Sequence, residues 1–158
     1  MSKSLVAYFS ASKTTERVAS KLAYAIQADL FEVKPVQPYS SADLDWNDTL
    51  SRSSQEMNDR NSRPAIRNTV SHMEQYDVVF VGFPIWWYRE PSIIDTFMES
   101  YDFGGKTIVP FATSGGSGMG NSSENMQKLA PGSKVVTGMR FSDSVSEKRL
   151  QSWASQWL

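Results

Sequence analysis

The chain has no cysteine, which excludes disulfides, thiolate catalysis and cysteine-ligated metals or clusters. It has one histidine, His72, in a polar stretch where a surface position is expected, so no catalytic role is read into it. Neither sign of charge dominates. Sixteen Lys and Arg against 17 Asp and Glu leave a net charge of -1, which gives no electrostatic basis for binding nucleic acid or an anionic membrane. No apolar run reaches transmembrane length, and the short polar start Met1-Ser2-Lys3-Ser4 does not fit a signal peptide, so a cytoplasmic protein is expected. Two phosphate motifs are also missing. Without GxxxxGK(S/T), nucleoside triphosphate hydrolysis is not expected; without GxGxxG, neither is a dinucleotide on that fingerprint. What the chain has in quantity is aromatic surface: five Trp, six Tyr and eight Phe in 158 residues. That length suits one domain spanning 1–158, with a core of its own.

The apolar pattern predicts strands alternating with helices. Leu5 to Phe9 and Val78 to Phe83 are nearly continuous apolar runs, as in parallel strands buried on both faces. Leu30 to Lys34, Lys106 to Ala112 and Lys134 to Phe141 complete five predicted strands. Helices are predicted from Glu16 to about Ala28, from Ser92 and over Ser144 to Leu158, each with an apolar stripe, and over about Ser122 to Leu129, stopped by Pro131-Gly132. The polar stretch between Pro35 and Tyr76 reads as an elaborated crossover. Within it, one helix is predicted over Asp43 to Met57, with Trp46, Leu50 and Met57 on one face, and a short one near Thr69 to Gln75. The expected fold is an α/β three-layer sandwich with a five-stranded parallel sheet in the order 2-1-3-4-5.

Three loops stand out, and each follows the carboxyl end of a strand. In that sheet order they converge where open α/β sheets bind ligands. The first, Ser10-Ala11-Ser12-Lys13-Thr14-Thr15, places four hydroxyls at a helix N-terminus. There, orphan N–H groups and the helix dipole favour an anion, although the same residues also serve as a plain N-cap. The second, Pro84-Ile85-Trp86-Trp87-Tyr88, has three adjacent aromatics that cannot all face the core, so at least one is available to stack on a flat ligand. The third, Thr113 to Gly120, carries Gly115, Gly116, Gly118 and Gly120, which allow close approach of backbone to a ligand or simply a loose surface loop. A phosphate socket, an aromatic wall and a glycine-rich rim together suit a planar heteroaromatic mononucleotide, best of all flavin mononucleotide (FMN).

At this level the chain resembles the flavodoxin family over nearly its whole length. Ser10 to Thr15 is similar to that family's phosphate loop, (S/T)-x-T-G-x-T. Pro84-Ile85-Trp86-Trp87 is similar to the flavin-contacting loop of a bacterial subgroup, and Thr113-Ser114-Gly115-Gly116 to the remaining flavin loop. The resemblance implies that Ser10, Ser12, Thr14 and Thr15 hold the FMN phosphate, with Lys13 adding charge where the family has glycine. It implies that Pro84 to Tyr88 line the ring system and that Thr113, Ser114, Gly115, Gly116 and Gly118 border its other side. No aromatic is available in that last loop, and Met119 is the one candidate to cover the exposed flavin face. The function implied is electron transfer through non-covalently bound FMN, to a redox partner protein or a small acceptor such as a quinone. No catalytic side chain and no metal are expected. Two alternatives remain: an NAD(P)H-dependent FMN reductase acting on quinones or flavins, favoured by the lack of net acidity, and a flavin-free binding domain. Exposed aromatics at the cleft rim would also suit a homodimer.

Overall fold

A computed structural model describes residues 3–114 and 118–158. Its centre is a parallel sheet. β1 (Ser4–Tyr8) lies between β2 (Asp29–Glu32) and β3 (Val78–Pro84), and β4 (Thr107–Thr113) continues on the far side of β3. The strand order is β2-β1-β3-β4-β5, as expected from the sequence, with one addition. The predicted fifth strand is two short ones, β5 (Lys134–Val135) and β6 (Met139–Phe141), both pairing with β4. The break lies beside Pro110, which has no N–H to offer the ladder. Gly138 passes so close there that a Cβ on it would sit 2.1 Å from the Pro110 carbonyl oxygen.

Alternation along the strands feeds two cores. Leu5, Ala7 and Phe9 of the first strand region, with Val79, Val81 and Phe83, pack under α3 (Ser92–Glu99) and α4 (Ser122–Leu129). Val6 and Tyr8, with Phe80, Val109 and Phe111, pack under α1 (Thr14–Ile26) and the helix at Glu147–Ala154, numbered α5 below. Each core matches the stripe read from the sequence: Val18 and Leu22 of α1, Ile93, Ile94 and Phe97 of α3, Leu150 and Trp153 of α5 are buried. α5 is shorter than expected, capped by Ser146 and continued by a 3-10 turn at Ser155–Trp157. No helix among the described residues is long and apolar enough to cross a membrane.

The crossover after β2 departs most from expectation. Instead of a helix over Asp43 to Met57 there are turns and then only α2 (Arg52–Asn58), N-capped by Ser51. The cause is local competition. The Ser40 hydroxyl and the Asp43, Asp45 and Asp48 carboxylates each accept from a backbone N–H two or three residues away, at 2.9–3.1 Å. Those N–H groups are thereby diverted from a helical ladder. Met57 remains buried, but Trp46 and Leu50 are 72% and 76% exposed rather than on an inward helix face. The short helix expected near Thr69 to Gln75 is one 3-10 turn, Met73–Gln75.

Candidate functional site

The loop after β1 is shaped by a single backbone choice. Lys13 takes a left-handed conformation (φ 69°) immediately before α1, without making a side-chain cap. Such a residue turns successive N–H groups towards a common concavity, and the first N–H groups of the helix have no intrahelical acceptor. Lysine bears the steric cost that glycine avoids here. Lys13→Gly should therefore be more stable than Lys13→Ala by about 1 kcal/mol, checked by urea unfolding of the two variants.

The four hydroxyls of this loop divide in two. The Ser10 hydroxyl accepts the Glu16 N–H at 3.2 Å, acting as the cap that Lys13 does not supply. Thr15 is buried, its hydroxyl 2.7 Å from that of Thr113 at the end of β4, so the pair ties the first loop to the third. Ser12 is exposed and Thr14 half-buried; both line a cleft of about 490 Å³ together with Thr113, Ser114 and Arg140. Arg140, on β6, was not picked out from the sequence. Its guanidinium donates to the Ser114 carbonyl at 3.0 and 3.2 Å and to the Ser114 hydroxyl at 3.1 Å. These partners are neutral, so they leave its charge in place. Asp143, also in this cleft, is held by Arg17 at 2.8 Å.

The aromatic loop is a tight reverse turn. Trp86 and Arg89 exchange both backbone hydrogen bonds, at 3.0 and 3.2 Å. Between them Trp87 and Tyr88 both have positive φ, 49° and 65°. Two positive φ angles mark the turn type that normally demands Asn-Gly or Gly-Gly. Bulky side chains in that geometry are strained, and strain of this kind collects at functional sites. The three aromatics separate as their directions require. Trp86 packs edge-on against Phe9 and Tyr39, at 5.7 and 5.6 Å between ring centroids, whereas Trp87 is 41% and Tyr88 74% exposed. With Pro84, Ile85, Ser12, Leu44 and Trp46 they wall a second cleft of about 580 Å³. It shares Ser12 and Pro84 with the first, so the two meet at the tip of the β1 loop.

The third loop closes against the second. The Asn121 N–H donates to the Tyr88 carbonyl at 3.0 Å, and Gly120 (φ 56°) presses its Cα against the same peptide. Gly118 is exposed, while Gly115 and Gly116 lie outside the described residues. Met119 does not cover the cleft. It packs against the core, with its methyl group beside Gly138. Among the described residues no cluster of His, Cys, Asp and Glu could hold a metal.

With this geometry in view, the flavodoxin family model matches residues 3–157. The chain belongs to the flavodoxin family. Solved structures of flavoproteins share its fold. A protein assigned as a flavoprotein from Bacteroides eggerthii is 50% identical, with a TM-score of 0.93, over 99% of this chain and 98% of its own. One from Bacteroides uniformis is 44% identical, with a TM-score of 0.91, over 98% of each chain. A flavoprotein from Lactobacillus acidophilus, in complex with FMN, shares the fold at a TM-score of 0.74, with 23% identity over 99% of each chain. No curated protein matches. Residues that the family resemblance did not supply are Arg140, Leu44 and Trp46. A charge at the carboxyl end of the last strand was the available signal for Arg140. Trp46 was legible as an aromatic but was assigned to the wrong face.

Proposed function

We propose that the chain binds FMN without a covalent link and transfers electrons through it. The observation that carries this reading is the pair of clefts joined at Ser12 and Pro84: one end has hydroxyls, the Arg140 cation and an Asp143 already held by Arg17, the other mainly aromatic and aliphatic side chains. The donor set suits the group at both ends. The Lys13 turn, the Ser12 and Thr14 hydroxyls and Arg140 face one cavity, where a phosphate dianion is best accommodated. Trp87 and Tyr88 present faces that an apolar planar ring can stack on. By this reading Ser10 supports the loop rather than contacting the phosphate, and the Thr15–Thr113 pair fixes the spacing of the two loops. Pro84 and Ile85 exclude water from the ring. Bound FMN supplies one- and two-electron redox chemistry. The described lining residues of the aromatic end include no His, Asp, Glu, Lys or Arg, so no side chain there is assigned as an acid or base. A redox partner protein is the acceptor that the family implies.

A second reading is favoured by one observation. The aromatic cleft continues beyond the β3 loop to Leu44 and Trp46, which makes it a walled pocket rather than an open edge. A small planar acceptor such as a quinone fits that shape, with NAD(P)H as reductant. Turnover of NAD(P)H with a quinone by the purified protein would establish it over the carrier role.

The first test is direct. Protein purified without flavin and titrated with FMN should show flavin absorbance bands that co-elute with it on gel filtration. A chain that stays colourless refutes both readings. Ser12→Asp should weaken FMN binding at least tenfold, about 1.4 kcal/mol, through repulsion of the phosphate, while leaving riboflavin affinity unchanged. Equal losses for both ligands would move the phosphate elsewhere.

A further inference from the structure

Beneath the aromatic turn lies a buried ionic cluster with an arithmetic problem. Glu90 follows the turn directly and is fully buried. Asp95, in the first turn of α3, is buried as well. The Asn125 amide of α4 donates to Glu90 Oε1 at 3.2 Å, and Arg60 in turn donates to Asn125 Oδ1 at 2.8 Å, which fixes the amide's orientation. Arg89 Nη1 lies 3.4 Å from Asp95 Oδ2, and Arg63 Nη1 lies 3.9 Å from the same oxygen. Arg63 is already engaged by Glu99 at 2.5 Å. Arg89 Nη1 also lies 4.0 Å from Glu90 Oε2, so the two buried carboxylates, Glu90 and Asp95, share the one buried guanidinium of Arg89.

Two oxygens have no hydrogen-bond donor among the described residues: Glu90 Oε2 and Asp95 Oδ1. Ionised carboxylates only accept, so two of them cannot satisfy each other. An unpaired buried charge is costly, and one added proton removes both difficulties at once. It would match the two buried carboxyls to the single charge of Arg89 and turn the pair that meets at Arg89 Nη1 into a donor and an acceptor. The rest of the cluster leads to the turn. Arg89 donates to the carbonyls of Glu90 and Met57 at 3.2 and 3.1 Å, so the arm leaving the turn is anchored to α2 as well as α3.

We propose that Glu90 is a positioning residue: held as a neutral acid, it donates its proton to Asp95 and so clamps the strained Trp86–Arg89 turn to α3. Burial, followed by the hydrogen bond to Asp95, pushes the Glu90 carboxyl up to about 9, in agreement with this geometry. Below that pH the clamp is closed. Above it, two buried carboxylates oppose each other and the turn loses its anchor. The clamp's effect on a ligand rests on the FMN reading above, but the clamp itself does not, so it is tested without ligand.

The experiment is a carboxyl-carbon NMR titration of flavin-free protein, following the Trp87 indole resonance in the same samples. The Glu90 carboxyl should titrate well above the ordinary range, with a midpoint beyond about pH 7, and Trp87 should shift with the same midpoint. Glu90→Gln, which keeps a neutral donor, should retain the low-pH Trp87 position and lose its pH dependence. Glu90→Ala should displace Trp87 at every pH. A Glu90 midpoint in the ordinary carboxyl range overturns the shared proton. A Trp87 resonance indifferent to a raised Glu90 midpoint overturns the clamp. FMN is then added to the wild type and Glu90→Gln; failure of both to bind counts against the FMN reading alone.

Discussion

Gly120→Ala should unfold at markedly lower urea concentration and lose most of its FMN affinity. A Cβ at this position would lie 1.8 Å from the Tyr88 carbonyl oxygen and 2.6 Å from its carbon. Both are backbone atoms of the strained turn, so no side-chain rotation relieves the contact. The positive φ of Gly120 adds a penalty of its own. Together these should cost about 3 kcal/mol of stability, in the upper range for a single substitution. The carbonyl that would be displaced also accepts the Asn121 N–H, so the aromatic wall moves with it. FMN affinity should fall at least tenfold, about 1.4 kcal/mol. Equilibrium unfolding and fluorescence-quenching titration of the variant check the two effects separately. A variant with parental stability would mean that the third loop does not seat the turn.

Arg89→Met should be the other severe change. Arg89 is buried, and its guanidinium bonds or neighbours Asp95, the carbonyls of Glu90 and Met57, and the Ser92 hydroxyl. Methionine fills a similar volume but leaves the Asp95 charge in the interior with only the more distant Arg63 as a cation. Removing one partner of a buried pair costs about 3–5 kcal/mol, more than the pair itself contributes. The expected signature is recovery. Arg89→Met combined with Asp95→Asn should regain part of the loss, because the orphaned charge goes with it. Measured stabilities of the two single variants and the double variant settle this: strict additivity would mean that Arg89 acts through its backbone contacts and not through Asp95.

The sheet and its order were legible because they rest on the strongest signals a chain carries. Val78 to Phe83 and Leu5 to Phe9 are nearly continuous apolar runs, and an amphipathic helical stripe follows each of them. The meeting of the three loops followed from that topology alone. The excursion between Pro35 and Tyr76 was less legible. Trp46, Leu50 and Met57 have helical spacing, but Asp43, Asp45 and Asp48 bind nearby N–H groups instead. The interruption beside Pro110 was readable in principle, since proline has no donor for a ladder. Neither positive φ in Trp87-Tyr88 could be anticipated, because nothing in the identity of those residues favours it. Arg140 reaches Ser114 across 26 positions, and Glu90 departs from an ordinary carboxylate only because of what folds over it.

Pro110 has an effect beyond the register of the last strands. The side of β4 that it interrupts forms one flank of the sheet, and the chain covers that flank with two strands of two and three residues. A continuous strand there would offer an unbroken row of free N–H and C=O groups to another molecule's strand. Segments this short, offset by the kink at Gly138, give an incoming strand too little to pair with. The same proline that costs the sheet a hydrogen bond thereby protects it against growing from one molecule into the next.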